Sequence, residues 1–195
     1  MKTFMKFGSL GLVSCALALV ACGDREEVWG ESPVGVQAFG LRDRVVVLDD
    51  TAKRVVSLVP IEDQKLERKS VRVGANVASV VSSKDREKLF VLSYGDLPRR
   101  SLEDERPSLT VLEPGGERRI ELSSAHGGLV ADPQGRYLAI FAAAPGTLGT
   151  RPPPAGFVEN PNEILIVDLE APPGTEAVVP RSIRSFGGKP RAVTF

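Results

Sequence analysis

The sequence predicts an all-β fold, a partial or open β-propeller of about three four-stranded repeats. Three observations carry that expectation. The chain of 195 residues holds 15 prolines and 19 glycines. With many valines and few long amphipathic runs, that composition suits short strands joined by turns and argues against a helical bundle. A β-branched hairpin pattern recurs along the chain, and a second two-strand unit recurs between the hairpins.

The first element is a leader. Lys2 and Lys6 open the chain, no acidic residue precedes Asp24, and Phe7 to Ala21 runs through Gly, Leu, Val, Ala and Ser. This is a cationic region followed by an apolar stretch too short and too small in side chains to form a stable membrane span. The run ends in Leu19-Val20-Ala21-Cys22 and turns polar at once in Gly23-Asp24-Arg25. These residues resemble the lipobox of bacterial lipoproteins. The resemblance implies a signal peptide over residues 1–21 and a diacylglycerol on Cys22, the first residue of the mature chain. A competing match at Leu12-Val13-Ser14-Cys15 would leave an apolar region of about seven residues, at the lower edge of the usual range. It would also leave a mature end that begins with further apolar or small residues, so Cys22 is preferred.

If Cys15 leaves with the leader and Cys22 is acylated, the mature chain holds no free thiol and no disulfide, and packing alone must stabilise it. The resemblance further implies three acyl chains on that cysteine, and at about 0.8 kcal/mol per buried methylene these would make the anchoring effectively permanent. The bilayer, reached through acylated Cys22, is therefore an expected partner. In enterobacterial lipoproteins an Asp directly after the cysteine retains the protein in the inner membrane. Here Gly23 stands there and Asp24 follows, so the resemblance favours the outer membrane.

Removing residues 1–21 takes Lys2 and Lys6 from 25 basic residues and nothing from 25 acidic ones, leaving 23 against 25. That balance gives no footprint for nucleic acid. Residues 22–40 are charged, then punctuated by Gly and Pro without a sustained period, and read as a lipidated tether. Trp29 lies in this stretch and reads as a solvent-facing or domain-packed aromatic.

Residues 41–195 read as the repeat domain. Arg44–Asp49 leads through Asp50–Lys53 to Arg54–Val59 as strand, turn and strand. The arrangement returns in Ser108–Glu113, a turn at Pro114–Gly116, and Glu117–Leu122. It returns again in Glu163–Asp168, a Pro172–Gly174 turn and a strand around Glu176–Val179. Between the hairpins lies the second unit, Gly74–Val80 continuing into Lys84–Val91, then Ser123–Leu129 continuing into Pro133–Ile140. Gly187–Val193 begins a third copy.

Val80, Leu129 and Val193 are 49 and 64 residues apart, and Asp49, Glu113 and Asp168 are 64 and 55 apart. So loose a period fits four-stranded propeller blades separated by loops of variable length. The pattern resembles the YVTN and lactonase-like propeller repeat over residues 41–195. Arg86 replaces the turn glycine in one copy, Val77 and His126 replace the proline in two, and the Tyr-Val-Thr-Asn tetrad itself does not occur. About three blades are present where a closed propeller needs at least four. The expectation is a truncated propeller or an open one that closes by assembly. A further alternative pairs the last strand with Val34–Phe39.

Two inserts stand out, Asp96–Arg106 and Pro145–Asn162. Both fall between a strand pair and the next hairpin, so both should project from one side of the array, where repeat proteins often carry binding surfaces. Arg99, Arg100, Glu103, Asp104, Glu105 and Phe157 are the candidate binding residues.

Chemistry is sparse. His126 is the only histidine, which excludes a multi-histidine metal site within the chain and leaves one base for Ser-His-Asp catalysis. Ser123, Ser124 and His126 read as a turn. Asp49-Asp50 and Glu103-Asp104-Glu105 lack EF-hand spacing, and Gly115-Gly116, Gly127-Gly128 and Gly187-Gly188 lack the strand-to-helix context of a phosphate loop. No catalytic residue, metal or cofactor is assigned.

The leading functional expectation is a membrane-anchored envelope lipoprotein whose non-catalytic propeller-like domain binds or scaffolds an envelope protein or glycan. A lactonase-like hydrolase with His126 and acidic loop residues is the alternative, and a truncated nonfunctional fragment a third. His126 buried in a concavity beside two carboxylates would favour the hydrolase.

Overall fold

The computed structural model describes residues 36–195 apart from 63–64, 148, 173–175, 184–187 and 191–192. The leader, Leu19, Val20, Ala21, Cys22 and the tether up to residue 35 lie outside the described residues. Among the described residues, twelve strands form three four-stranded antiparallel sheets, a partial and open propeller-like arrangement.

Each sheet is a meander with its strands in chain order. Sheet A holds β1 (Val36–Gly40), β2 (Val45–Asp49), β3 (Arg54–Pro60) and β4 (Leu66–Arg72). Sheet B holds β5 (Val77–Ser82), β6 (Leu89–Ser93), β7 (Ser108–Glu113) and β8 (Gly116–Glu121). Sheet C holds β9 (Gly128–Ala131), β10 (Tyr137–Phe141), β11 (Glu163–Asp168) and β12 (Val178–Ser182).

Side-chain alternation decides how the sheets face one another. In β6 every residue is buried. Leu89 and Val91 point into a core shared with Val46, Leu48 and Val55 of sheet A. Phe90 and Leu92 point the other way, into a core shared with Leu138, Ile140 and Leu165 of sheet C. Sheet B is therefore the middle layer, and its inner strands β6 and β7 are buried on both faces at nearly every position, while its outer strand β8 alternates with exposed residues. In β2 only one face is enclosed: Val46 and Leu48 are fully buried while Val45 is half exposed.

Sequence expectation and structure differ in four places. The hairpin Arg44–Val59 does not occupy the same blade position as its two counterparts. It supplies the second and third strands of sheet A, whereas Ser108–Leu122 supplies the third and fourth of sheet B. The reason is β4, which runs Leu-Glu-Arg-Lys-Ser-Val-Arg with only Val71 buried. An outer strand with a single buried residue carries almost no apolar alternation to read. Secondly, β1 lies within the stretch read as tether and pairs with β2, from Val36 against Asp49 to Gly40 against Val45. Thirdly, the strand expected around Glu176–Val179 runs from Val178 to Ser182. Finally, β1 pairs with β2, and residues 193–195 carry no strand, so the pairing considered between the last strand and Val34–Phe39 is not formed among the described residues.

The turn positions repeat more faithfully than the strands. Arg86 and Gly135 donate backbone N–H groups to Ser83 and Asp132 carbonyls, each at 3.0 Å. Both residues are left-handed, with φ of 60° and 70°. Glycine adopts that conformation freely and arginine does not.

Candidate functional site

In a meander, alternate joints fall at the same end of the sheet. The β2–β3, β4–β5, β6–β7, β8–β9 and β10–β11 joints share one end, and the two inserts are the β6–β7 and β10–β11 joints. They project together, and both line one cavity.

The first insert is pinned by its own carboxylates. Asp96 and Glu105 close its base reciprocally, the Asp96 N–H donating to the Glu105 carbonyl and the Glu105 N–H to Asp96 Oδ2, each at 3.0 Å. Glu105 Oε2 also accepts the Ala75 N–H at 2.8 Å, and Oε1 pairs with Arg72. Burial pushes the Glu105 carboxyl up, but the Ala75 N–H and the Arg72 guanidinium outweigh it and hold the group below its ordinary range. Asp104 accepts the backbone N–H groups of Arg100 and Ser101, which hold its carboxyl low and fix the loop tip.

The second insert crosses over Tyr94. The Phe157 ring meets the Tyr94 ring edge-on, with centroids 6.4 Å apart. The Tyr94 hydroxyl lies 3.2 Å from both the Arg151 carbonyl and Glu159 Oε1. Glu159 is buried and paired with Lys189, so its charge is not left uncompensated. Burial, with Glu159 beside it, pushes the Tyr94 phenol well above its ordinary range and keeps it protonated. Gly127 permits this closeness, because a Cβ there would collide with the Tyr94 hydroxyl. Arg151 reaches back to Asp50 in the β2–β3 turn, so the insert is tied to sheet A as well as sheet B.

Between the inserts lies a cavity of about 450 Å³. Leu97, Leu122 and Phe157 give it apolar walls, and the exposed guanidiniums of Arg99 and Arg106 stand among its polar lining. Ser124, His126 and Glu163 form a polar cluster on the same cavity. Ser124 and His126 come from the β8–β9 joint and Glu163 begins β11, so adjacent chain ends of sheets B and C bring them together.

The contacts within the cluster fix what it can do. The Ser124 hydroxyl donates to Glu163 Oε2 at 2.7 Å. His126 Nε2 stands 3.3 Å from the same carboxylate oxygen and 3.2 Å from Ser124 Oγ. Burial pushes the His126 pKa down against the opposing pull of Glu163, so the ring is neutral at pH 7. With the serine proton committed to Glu163, a neutral ring satisfies both oxygens only as a donor at Nε2. Nδ1 is buried with no hydrogen-bond partner. A serine relay needs the opposite arrangement, a bare nitrogen facing the hydroxyl and a carboxylate at the other nitrogen.

Of the sequence candidates, Arg99 and Phe157 line this cavity. Arg100, Glu103, Asp104 and Glu105 do not; Arg100, Asp104 and Glu105 supply the contacts that hold the first insert in shape, and Glu103 is exposed beside them, its backbone N–H on Ser101 Oγ. The sequence reading of Ser123 to His126 as a turn missed the partnership with Glu163. Among the described residues no group of three or more His, Cys, Asp or Glu side chains could hold a metal ion.

No family model matches the chain, and no curated protein matches it. Among solved structures, Kuenenia stuttgartiensis hydrazine synthase is similar at 15% identity and a TM-score of 0.35, over 67% of this chain and 47% of that one. This chain thus spans about half of that one's length.

Proposed function

We propose that the protein is a lipid-anchored envelope component, on the outer membrane, whose propeller-like domain binds a partner molecule without chemical turnover in the cavity between its two inserts. The observation that carries the binding reading is the cavity itself, with apolar walls, exposed arginines and a polar cluster converging from two sheets. The absence of turnover is supported by the His126 contacts, since Nε2 faces both Ser124 Oγ and Glu163 Oε2 while Nδ1 has no partner to orient a relay.

A photo-crosslinking residue at Val158, 82% exposed on the cavity's lining, tests binding in living cells. The expected result is a discrete adduct that Phe157→Ala diminishes and that is not formed from Leu66, exposed on β4. Equal adducts from both positions would contradict the reading. The anchor is tested by palmitate labelling, which Cys22→Ala should abolish and Cys15→Ala should spare. Label that persists in Cys22→Ala and is lost in Cys15→Ala moves the lipid to the earlier cysteine.

A hydrolase is the second reading, favoured by one observation. His126 is buried on a cavity, in contact with Glu163 and within the electrostatic reach of Glu159. Hydrolysis of a lactone or ester that Ser124→Ala eliminates would replace the binding reading with this one.

A further inference from the structure

We propose that the cavity takes a small zwitterion of dipeptide size, with its ammonium group against Glu163 and its carboxylate toward Arg99 and Arg106. The inference rests on the binding reading above and names the ligand class of the same site.

Charge within the cavity is separated rather than paired. At the cluster, neither neighbour brings a paired cation to the Glu163 carboxyl group. His126 is deprotonated to the neutral ring and Ser124 contributes only a hydroxyl. Both contacts fall on Oε2, so neither engages Oε1. The Glu163 side chain is 23% exposed, which leaves it reachable from the cavity but poorly solvated. A carboxylate so placed gains from a cation with N–H donors.

At the first insert the sign reverses. Among the described residues Arg99 forms no ion pair within 4.0 Å, though it stands within the electrostatic reach of Asp104, and Arg106 has a 3.4 Å contact with the exposed Glu121. Two guanidiniums presented this way match a planar carboxylate. Leu97, Leu122 and Phe157 line the same cavity and offer an apolar wall for a hydrocarbon side chain. The volume of about 450 Å³ lies in the lower half of the range of about 300–1,000 Å³ for small-molecule sites. A free amino acid would leave most of the apolar wall uncovered, and a long peptide would exceed the volume.

Calorimetric titration of the full lipidated chain in detergent with leucyl-leucine, its N-acetyl form and its C-terminal amide tests this. The unmodified dipeptide should bind, and each blocked form should bind about tenfold more weakly, as expected for one lost charge-assisted contact. Glu163→Gln should remove the discrimination against acetylation and keep that against amidation. Arg99→Gln with Arg106→Gln should do the reverse. Equal binding of all three compounds overturns the zwitterion while leaving cavity binding intact. No binding of leucyl-leucine at millimolar concentration, with the Val158 adduct still formed, also overturns it. Loss of that adduct is the separate failure of the binding reading. Should either variant not fold, the comparison of the three compounds on the unaltered protein decides the matter.

Discussion

Arg86 and Gly135 hold corresponding places in two copies of one turn, and only one of them is suited to it. Both are left-handed and both close the turn with the same backbone hydrogen bond. A residue with a Cβ is penalised in this region by roughly 1–2 kcal/mol, and glycine's larger unfolded-state freedom offsets part of any gain. Arg86→Gly should therefore stabilise the domain by about 0.5–1 kcal/mol. Gly135→Ala should destabilise it by a similar amount, since its Cβ would meet nothing nearer than Ser83 at 3.8 Å. Denaturant midpoints that moved in the opposite directions would refute the assignment of the two turns as equivalents. The arginine was visible in the sequence as a departure from the repeat; that it still adopts the glycine conformation was not.

At the scale of the strand, burial on one face or two distinguishes the sheets. Val46 faces sheet B and is fully buried, while its neighbour Val47 points away from sheet B and is only partly covered. Val46→Ala should cost about 2 kcal/mol, and Val47→Ala under about 1 kcal/mol. Equal costs would mean that the outer face of sheet A is enclosed as well. Strands with strong β-branched runs, such as β2, β7 and β11, could be read directly from the sequence. The outer strand β4 could not, because its residues are solvated and its place is set by the ladder with β3, from Arg54 against Arg72 to Pro60 against Leu66. Hence the first hairpin was assigned one strand too late in its blade. The two inserts were legible as interruptions of the period. Ser124 and His126 were not legible as part of a site, because their partner Glu163 lies 37 or more residues away. Only the shared end of sheets B and C brings the three together.

For the molecule as a whole, sheet B is the organising layer. Its two covered faces bond sheets A and C into one domain, and the joints at one end converge over it. Arg151 to Asp50 and Glu105 to Ala75 and Arg72 run across that end, so both inserts are braced against sheet A and the joint that follows it. A braced, preformed cavity suits binding, since little ordering remains to oppose association. Whether it also suits catalysis turns on one proton. The account requires that His126 carry it on Nε2, facing Glu163 and Ser124, and that the ring titrate below the ordinary histidine value of about 6.5. Imidazole 15N chemical shifts of the full chain, followed from neutral pH downward, measure both at once because there is a single histidine. The predicted result at pH 7 is a protonated Nε2 and a bare Nδ1, with the second proton arriving only below pH 6.5. A bare Nε2 facing Ser124, with the proton on Nδ1, would contradict the account and make His126 a general base.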